Sequence, residues 1–234
     1  MRILAFESSA KAAGTAILQD GALLAEYTQN SGQTHSRTLM QMAENMLRNC
    51  DLTAADIDAV AVAAGPGSFT GIRIGVAAAK GFAWGREIPC YGVSTLEAMV
   101  RGAAVCDGIY CACMDARREQ VYHALFQVEG GKLTSLTADC AISIEDLQKS
   151  LKKIEKPIFL VGDGALLCYN TMLESGLQLA LLPEHLRQQR AAGVALAAHE
   201  QIRSGAAGSA LELMPNYLRL SQAERERMEK NYKD

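Results

Sequence analysis

The stretch Gly65-Pro66-Gly67-Ser68-Phe69-Thr70-Gly71-Ile72-Arg73-Ile74-Gly75 decides how this chain is read. Ahead of it lies Ile57-Asp58-Ala59-Val60-Ala61-Val62-Ala63, whose apolar, β-branched composition predicts a buried strand. Behind it, residues 72–84 are apolar on nearly every side and predict a buried helix. A strand, a glycine turn and a helix in that order aim unpaired backbone N–H groups at whatever lies above the loop. A helix N-terminus of this kind suits an anion or a partner's acceptor groups. Glycines permit positive φ and close approach. No Gly-Lys-Ser/Thr closes the loop, so it is not a Walker A motif. The competing reading is a tight βα turn that only packs the helix on its sheet.

Working outward, residues 3–6, 14–18 and 23–28 predict three strands, with Gln19-Asp20-Gly21 as a hairpin turn between the second and third. A helix is expected from about 34 to 50, then the strand and helix around the glycine loop, then a strand at 90–93. The second half opens in the same way. Residues 109–114, 121–128 and 133–137 predict strands, and Ser143-Ile144-Glu145-Asp146 fits a capping box. A strand at 157–161 and a helix at 191–203 follow. Two βββα openings predict a duplicated α/β architecture of mixed sheets. The expected division is an N-terminal lobe at 1–100, a C-terminal lobe at 101–215 and a tail at 216–234, with a joint near 96–107. Residues 224–230 mix both charge signs and read as a solvated helix.

The chain has 234 residues, 49% of them hydrophobic, which is ample for a packed core. Its formal net charge of −3 offers no basic field to hold a polyphosphate backbone unaided. Seven cysteines show no disulfide-like framework, and the apolar run at 1–7 is too short for a signal peptide; reduced thiols in the cytoplasm are expected. No apolar run has the roughly 18 residues of a membrane span.

The first helix carries Leu39, Met40, Met42, Ala43, Met46, Leu47 and Cys50, a stripe wider than a helix packed on one side needs. The second carries Gly75, Ala77, Ala78, Ala79, Gly81 and Ala83, small residues that let another backbone approach. Surplus apolar surface on both predicts a helix-on-helix partner interface, and its candidate residues are Leu39, Met42, Ala43, Met46, Gly75, Ala78, Ala79 and Phe82. Glutamate at Met46 or Ala78 is expected to abolish partner binding and leave a folded monomer. The alternative is that both helices pack only on their own sheet.

The histidines (His35, His123, His185, His199) are isolated, and no H-x-x-x-H or C-x-x-C pair occurs, so no metal site is expected. Cys111 and Cys113 share one face of a strand and read as a buried thiol pair. No G-x-S-x-G elbow marks a hydrolytic nucleophile.

Several of these runs occur together in one known family. Ile3-Leu4-Ala5-Phe6-Glu7-Ser8-Ser9, His35-Ser36, the glycine motif followed by Ala79-Lys80-Gly81, Met114-Asp115-Ala116-Arg117-Arg118 and Pro215-Asn216-Tyr217-Leu218-Arg219 resemble the TsaB (YeaZ) family nearly end to end. Glu7 departs from the Asp usual in that family. The resemblance implies a two-lobed actin-like (ASKHA, ribonuclease-H-like) fold. It implies a cytoplasmic, non-catalytic subunit that binds a TsaD-type catalytic subunit through the two helices of its first lobe. It also implies association with a TsaE-type ATPase and contact with tRNA through the complex, which makes threonylcarbamoyladenosine. TsaD-like proteins carry a metal-binding H-x-x-x-H on the first helix; here the stretch is His35-Ser36-Arg37-Thr38-Leu39.

Glu7, Ser8 and Ser9 loosely fit the first acidic hairpin of actin-like ATPases. Arg117 and Arg118 fill the second loop with bulky side chains, and Gly162-Asp163-Gly164-Ala165 partly matches the adenosine loop. These five polar residues (Glu7, Ser8, Ser9, Arg117, Arg118) are candidate contacts for an anion, a nucleotide or a partner. No cofactor of its own is expected, ATP being used by the complex, and weak nucleotide binding is left open. A homodimer in the partner's absence is also left open. The alternative functions are an actin-fold ATP-binding enzyme and a peptidase-like hydrolase.

Overall fold

The computed structural model describes residues 1–219; the expected helix at 224–230 lies outside them. The first half runs β1 (Arg2–Glu7), β2 (Ala13–Gln19), β3 (Ala22–Gln29), α1 (His35–Asn49), β4 (Ala59–Gly65), α2 (Phe69–Arg86), β5 (Cys90–Ser94) and α3 (Thr95–Ala103). The second runs β6 (Gly108–Asp115), β7 (Gln120–Glu129), β8 (Lys132–Ser135), β9 (Cys140–Ser143), α4 (Ile144–Leu151), β10 (Ile158–Val161), α5 (Ala165–Met172), β11 (Leu179–Leu181), α6 (Glu184–Arg187) and α7 (Ala191–Arg203).

The duplication is plain in the strand order. The first sheet is β3-β2-β1-β4-β5 and the second is β8-β7-β6-β10-β11, with β9 also on β7. In each, the first three strands pair antiparallel and the next two parallel. This is the two-lobed actin-like α/β fold.

Strand alternation sorts the core into layers. Leu4, Phe6, Val60 and Val62 face α1 and α2, whereas Ile3, Ala5, Ala59, Ala61 and Ala63 face α7 and Ala98 of α3. In the second lobe Cys111, Cys113, Leu160 and Val121 face α4 and α5, while Tyr110, Ala112 and Phe126 face Leu96, Met99 and Val100 of α3. Helix α3 therefore lies between the two sheets.

The expected joint near 96–107 is largely helix α3, and one expectation is corrected here. The division at 101–215 put α7 in the second lobe, yet Ala191, Val194 and Ala198 fill the core of the first, and Leu213 packs on its opposite face. The chain returns to its starting sheet because α7 is small along its buried side and fits close to α3. A Cβ on Gly193 would lie 1.9 Å from the Ala98 carbonyl oxygen.

Caps set the helix starts. Ser68 accepts from the Gly71 N–H, so α2 begins at Phe69, ahead of the expected residue 72. Ser143 accepts from the Asp146 N–H, but the Asp146 carboxylate takes the Ser143 hydroxyl instead of completing the box.

Candidate functional site

The glycine loop after β4 holds the first hairpin of the chain. The Ser68 N–H donates to the Ser9 carbonyl at 2.7 Å, and the Ser8 hydroxyl donates to the Gly71 carbonyl at 2.9 Å. A Cβ on Gly71 would lie 2.1 Å from the Ser8 carbonyl oxygen, and one on Gly67 2.5 Å from that of Ser9. The glycines admit the chain's own backbone, so the tight βα turn is the reading that the geometry supports.

The motif at 215–219 seals the other side of this loop. The Asn216 N–H donates to the Ala64 carbonyl at 2.7 Å. Tyr217 packs on Phe69 with ring centroids 4.8 Å apart. The Arg73 guanidinium lies 3.9 Å from the Phe69 centroid, and its Nε donates to the Tyr217 hydroxyl at 2.8 Å. One turn pair further along α2, Lys80 Nζ donates to the carbonyls of Leu211 and Leu213 at 3.3 and 3.0 Å. Arg219 reaches the second lobe and donates to the Ala116 carbonyl at 2.5 Å. Four separate runs of sequence thus form one assembly.

Arg117, Arg118 and Glu119 all take left-handed backbone conformations, with φ of 62°, 56° and 57°. Each costs about 1 kcal/mol or more in a residue with a Cβ. The Arg117 N–H to Asp115 carboxylate bond (2.6 Å) and the Ile144 N–H to Glu119 carbonyl bond (3.1 Å) hold the turn. Both arginines are exposed and stay candidates for an anion or a partner.

Glu7, Ser8 and Ser9 do not serve that role: each is only 1% exposed, and Ser8 is spent on the glycine loop. Glu7 Oε1 accepts from the Ser9 N–H at 2.6 Å, while Oε2 has no partner among the described residues. Burial pushes the Glu7 carboxyl up to about 7, and the nearby Asp163 charge adds to the shift. Asp163, two residues past the end of β10, is likewise raised by burial and accepts from Gln189 at 2.7 Å. The hairpin's own backbone occupies the glycine loop.

The interface candidates divide. Leu39, Met46, Gly75 and Ala79 are buried in their own lobe, and Ala43 is buried at the floor of the groove described below. The width of the apolar stripe was real, but the sheet takes more of it than periodicity could say. Met42, Ala78 and Phe82 are half-buried, Met40 is 44% exposed and Trp84 67%. Between α1 and α2 runs an open groove of about 720 Å³, with Met40, Leu52 and Phe82 on its apolar wall and Arg37, Glu44 and Arg48 at its edge. Sequence periodicity missed Met40 and Leu52 as groove residues. At the start of α1, His35 Nε2 lies 2.8 Å from the Ala10 carbonyl, and one turn on Leu39 is core. This pair is built for packing rather than ligation.

The chain is similar to known proteins. A family model described as "TsaD: tRNA N6-adenosine threonylcarbamoyltransferase" matches residues 23–227. The Bacillus subtilis tRNA threonylcarbamoyladenosine biosynthesis protein TsaB is 33% identical over 228 residues, 96% of each chain. This chain belongs to the TsaB family. The Escherichia coli TsaB is 34% identical over 182 residues, 76% of this chain and 78% of that one. The solved structure of YeaZ from Pseudomonas aeruginosa shares the fold at a TM-score of 0.78 and 23% identity, covering 93% of this chain and 99% of that one. Among the described residues no helix is long and apolar enough to cross a membrane.

Proposed function

We propose that this chain is a non-catalytic subunit for threonylcarbamoyladenosine formation on tRNA, binding a TsaD-type catalytic subunit along the α1–α2 groove. The observation that carries the proposal is that groove: apolar side chains left uncovered on two adjacent helices, flanked by charges of both signs. Exposed apolar surface of this kind gains by association. Binding would favour the arrangement of the catalytic subunit that matches the groove, and differential affinity is how one protein shifts another's conformation. The chain needs no cofactor of its own in this role. A TsaE-type ATPase would join the pair, and tRNA would be met through the complex. In the partner's absence, the same groove would pair two copies of this chain.

The loop assembly supports the non-catalytic part of the reading, because the chain's own backbone lies against Gly67 and Gly71 of the glycine loop. Reconstitution tests it. A tRNA carrying the adenosine substrate is incubated with threonylcarbamoyl-adenylate and either this chain, the TsaD-type subunit, or both. The proposal expects transfer with both and none with this chain alone. Transfer by the isolated chain would overturn it.

A further inference from the structure

Residues 211–219 form a strap that lies on the first lobe and reaches the second. Leu213 is its buried anchor, and a Cβ on Gly92 of β5 would lie 2.5 Å from the Leu213 Cδ1. The Asn216 carbonyl oxygen lies 2.2 Å from where a Cβ on Gly65 would stand, so the strap backbone presses on the glycine loop. Along α2, Lys80 holds the carbonyls of Leu211 and Leu213, and Phe69 and Arg73 hold the Tyr217 ring. Between these points the strap is on the surface: Leu211 is 72% exposed and Met214 70%. It is fastened at points rather than packed along its length.

Past Tyr217 the strap crosses to the turn between β6 and β7. There the Ala116 N–H donates to the Gln120 carbonyl at 3.0 Å, but the Gln120 N–H turns to the Arg117 carbonyl at 3.3 Å. That exchange leaves the Ala116 carbonyl to accept from Arg219 Nη1. It belongs to the peptide that leads into three successive left-handed residues, Arg117, Arg118 and Glu119. Such a run persists only where its surroundings over-determine it. A bond from a charged donor is a strong one, and here it fixes the plane of that peptide and the direction in which two exposed arginines leave the turn.

We infer that residues 211–219 are an interlobe latch: anchored on the first lobe at Leu213, Asn216 and Tyr217, the strap holds the Arg117–Glu119 turn of the second lobe in its left-handed form through Arg219. Closed, the latch presents Arg117 and Arg118 from a stiff turn, which lowers the ordering cost of any contact they make. Open, the turn relaxes toward ordinary backbone angles and the arginines lose their fixed position. The lobes stay joined in either state, because α3 packs on both sheets. Elements that move are drawn from the weakly held end of a structure, and a surface strap fastened at a few points is of that kind.

The test is amide hydrogen exchange of the full chain, read by mass spectrometry over residues 115–120 in the wild type, Arg219→Ala and Tyr217→Ala. Arg219→Ala should speed exchange at the turn at least about tenfold. Tyr217→Ala loosens the strap at its first-lobe anchor and should speed the same amides at least about threefold. The amides of β10 and α7 should exchange as in the wild type in both variants. Unchanged exchange at the turn in Arg219→Ala would overturn the latch. A rise in Arg219→Ala with none in Tyr217→Ala would reduce Arg219 to a local bond and overturn the part given to the strap. Equal acceleration at β10 and α7 would overturn it as well, the opening then being global.

Discussion

The Ser8 hydroxyl bonds the Gly71 carbonyl at 2.9 Å, and the Ser8 carbonyl lies where a Cβ on residue 71 would stand, 2.1 Å away. The obstacle is backbone, so no rotamer change relieves it. Gly71→Ala should destabilise the chain by more than about 2 kcal/mol. Gly81, ten residues along the same helix, has nothing within 4 Å of its Cβ position. Gly81→Ala should gain up to about 1 kcal/mol from helix propensity. Thermal unfolding of the two variants separates them; equal midpoints would mean that the hairpin does not press on the loop.

The Arg73–Tyr217 contact is expected to show as energetic coupling. Arg73→Ala and Tyr217→Ala each remove a cation–π contact and one hydrogen bond. Because they share that interaction, the double variant should lose about 1 kcal/mol less than the two singles added together. A double-mutant cycle in urea measures this. Simple additivity would detach the segment at 215–219 from α2.

Glu7 makes stability fall with rising pH. Its carboxyl sits at about 7 in the fold against 4.5 in the open chain, so between those values the folded state holds the extra proton. Stability is then greatest below about 4.5 and is lost as pH rises to about 7, a change on the order of 3 kcal/mol. Glu7→Gln removes the ionisation. It should match the wild type near pH 5 and exceed it by about 1–3 kcal/mol at pH 8. Parallel pH profiles for the two proteins in chemical denaturation would contradict this placement of Glu7.

The sequence displays the first lobe almost whole, because its strands alternate or run apolar and the turn at Asp20-Gly21 punctuates them. Helix α3 is harder to see: residues 95–103 are short and apolar on two sides, since the helix faces both sheets. Helix α5 hides in the same way behind a short, largely apolar run. The partner surface is half legible. Periodicity marks Leu39, Ala43 and Met46 as apolar, but only packing tells that the sheet covers them and leaves Met40 and Phe82 outside. The joining of Lys80, Arg73 and residues 215–219 is a contact between distant segments, for which a single sequence carries no signal beyond the presence of the motifs. The raised Glu7 carboxyl likewise depends in part on a distant residue, Asp163 of the other lobe.

The groove between α1 and α2 is where the account stands or falls. Met40→Glu places charge on its exposed apolar wall, Ala78→Glu places it on the half-buried face of α2 one turn from Phe82, and Leu166→Glu places it on the exposed face of α5, in the other lobe. Titration calorimetry of each purified variant against the TsaD-type subunit is the direct measurement. The account predicts a loss of about 100-fold or more, near 2.7 kcal/mol, for Met40→Glu and Ala78→Glu, with Leu166→Glu binding as the wild type does. Wild-type affinity in both groove variants, with their unfolding unchanged, would contradict it.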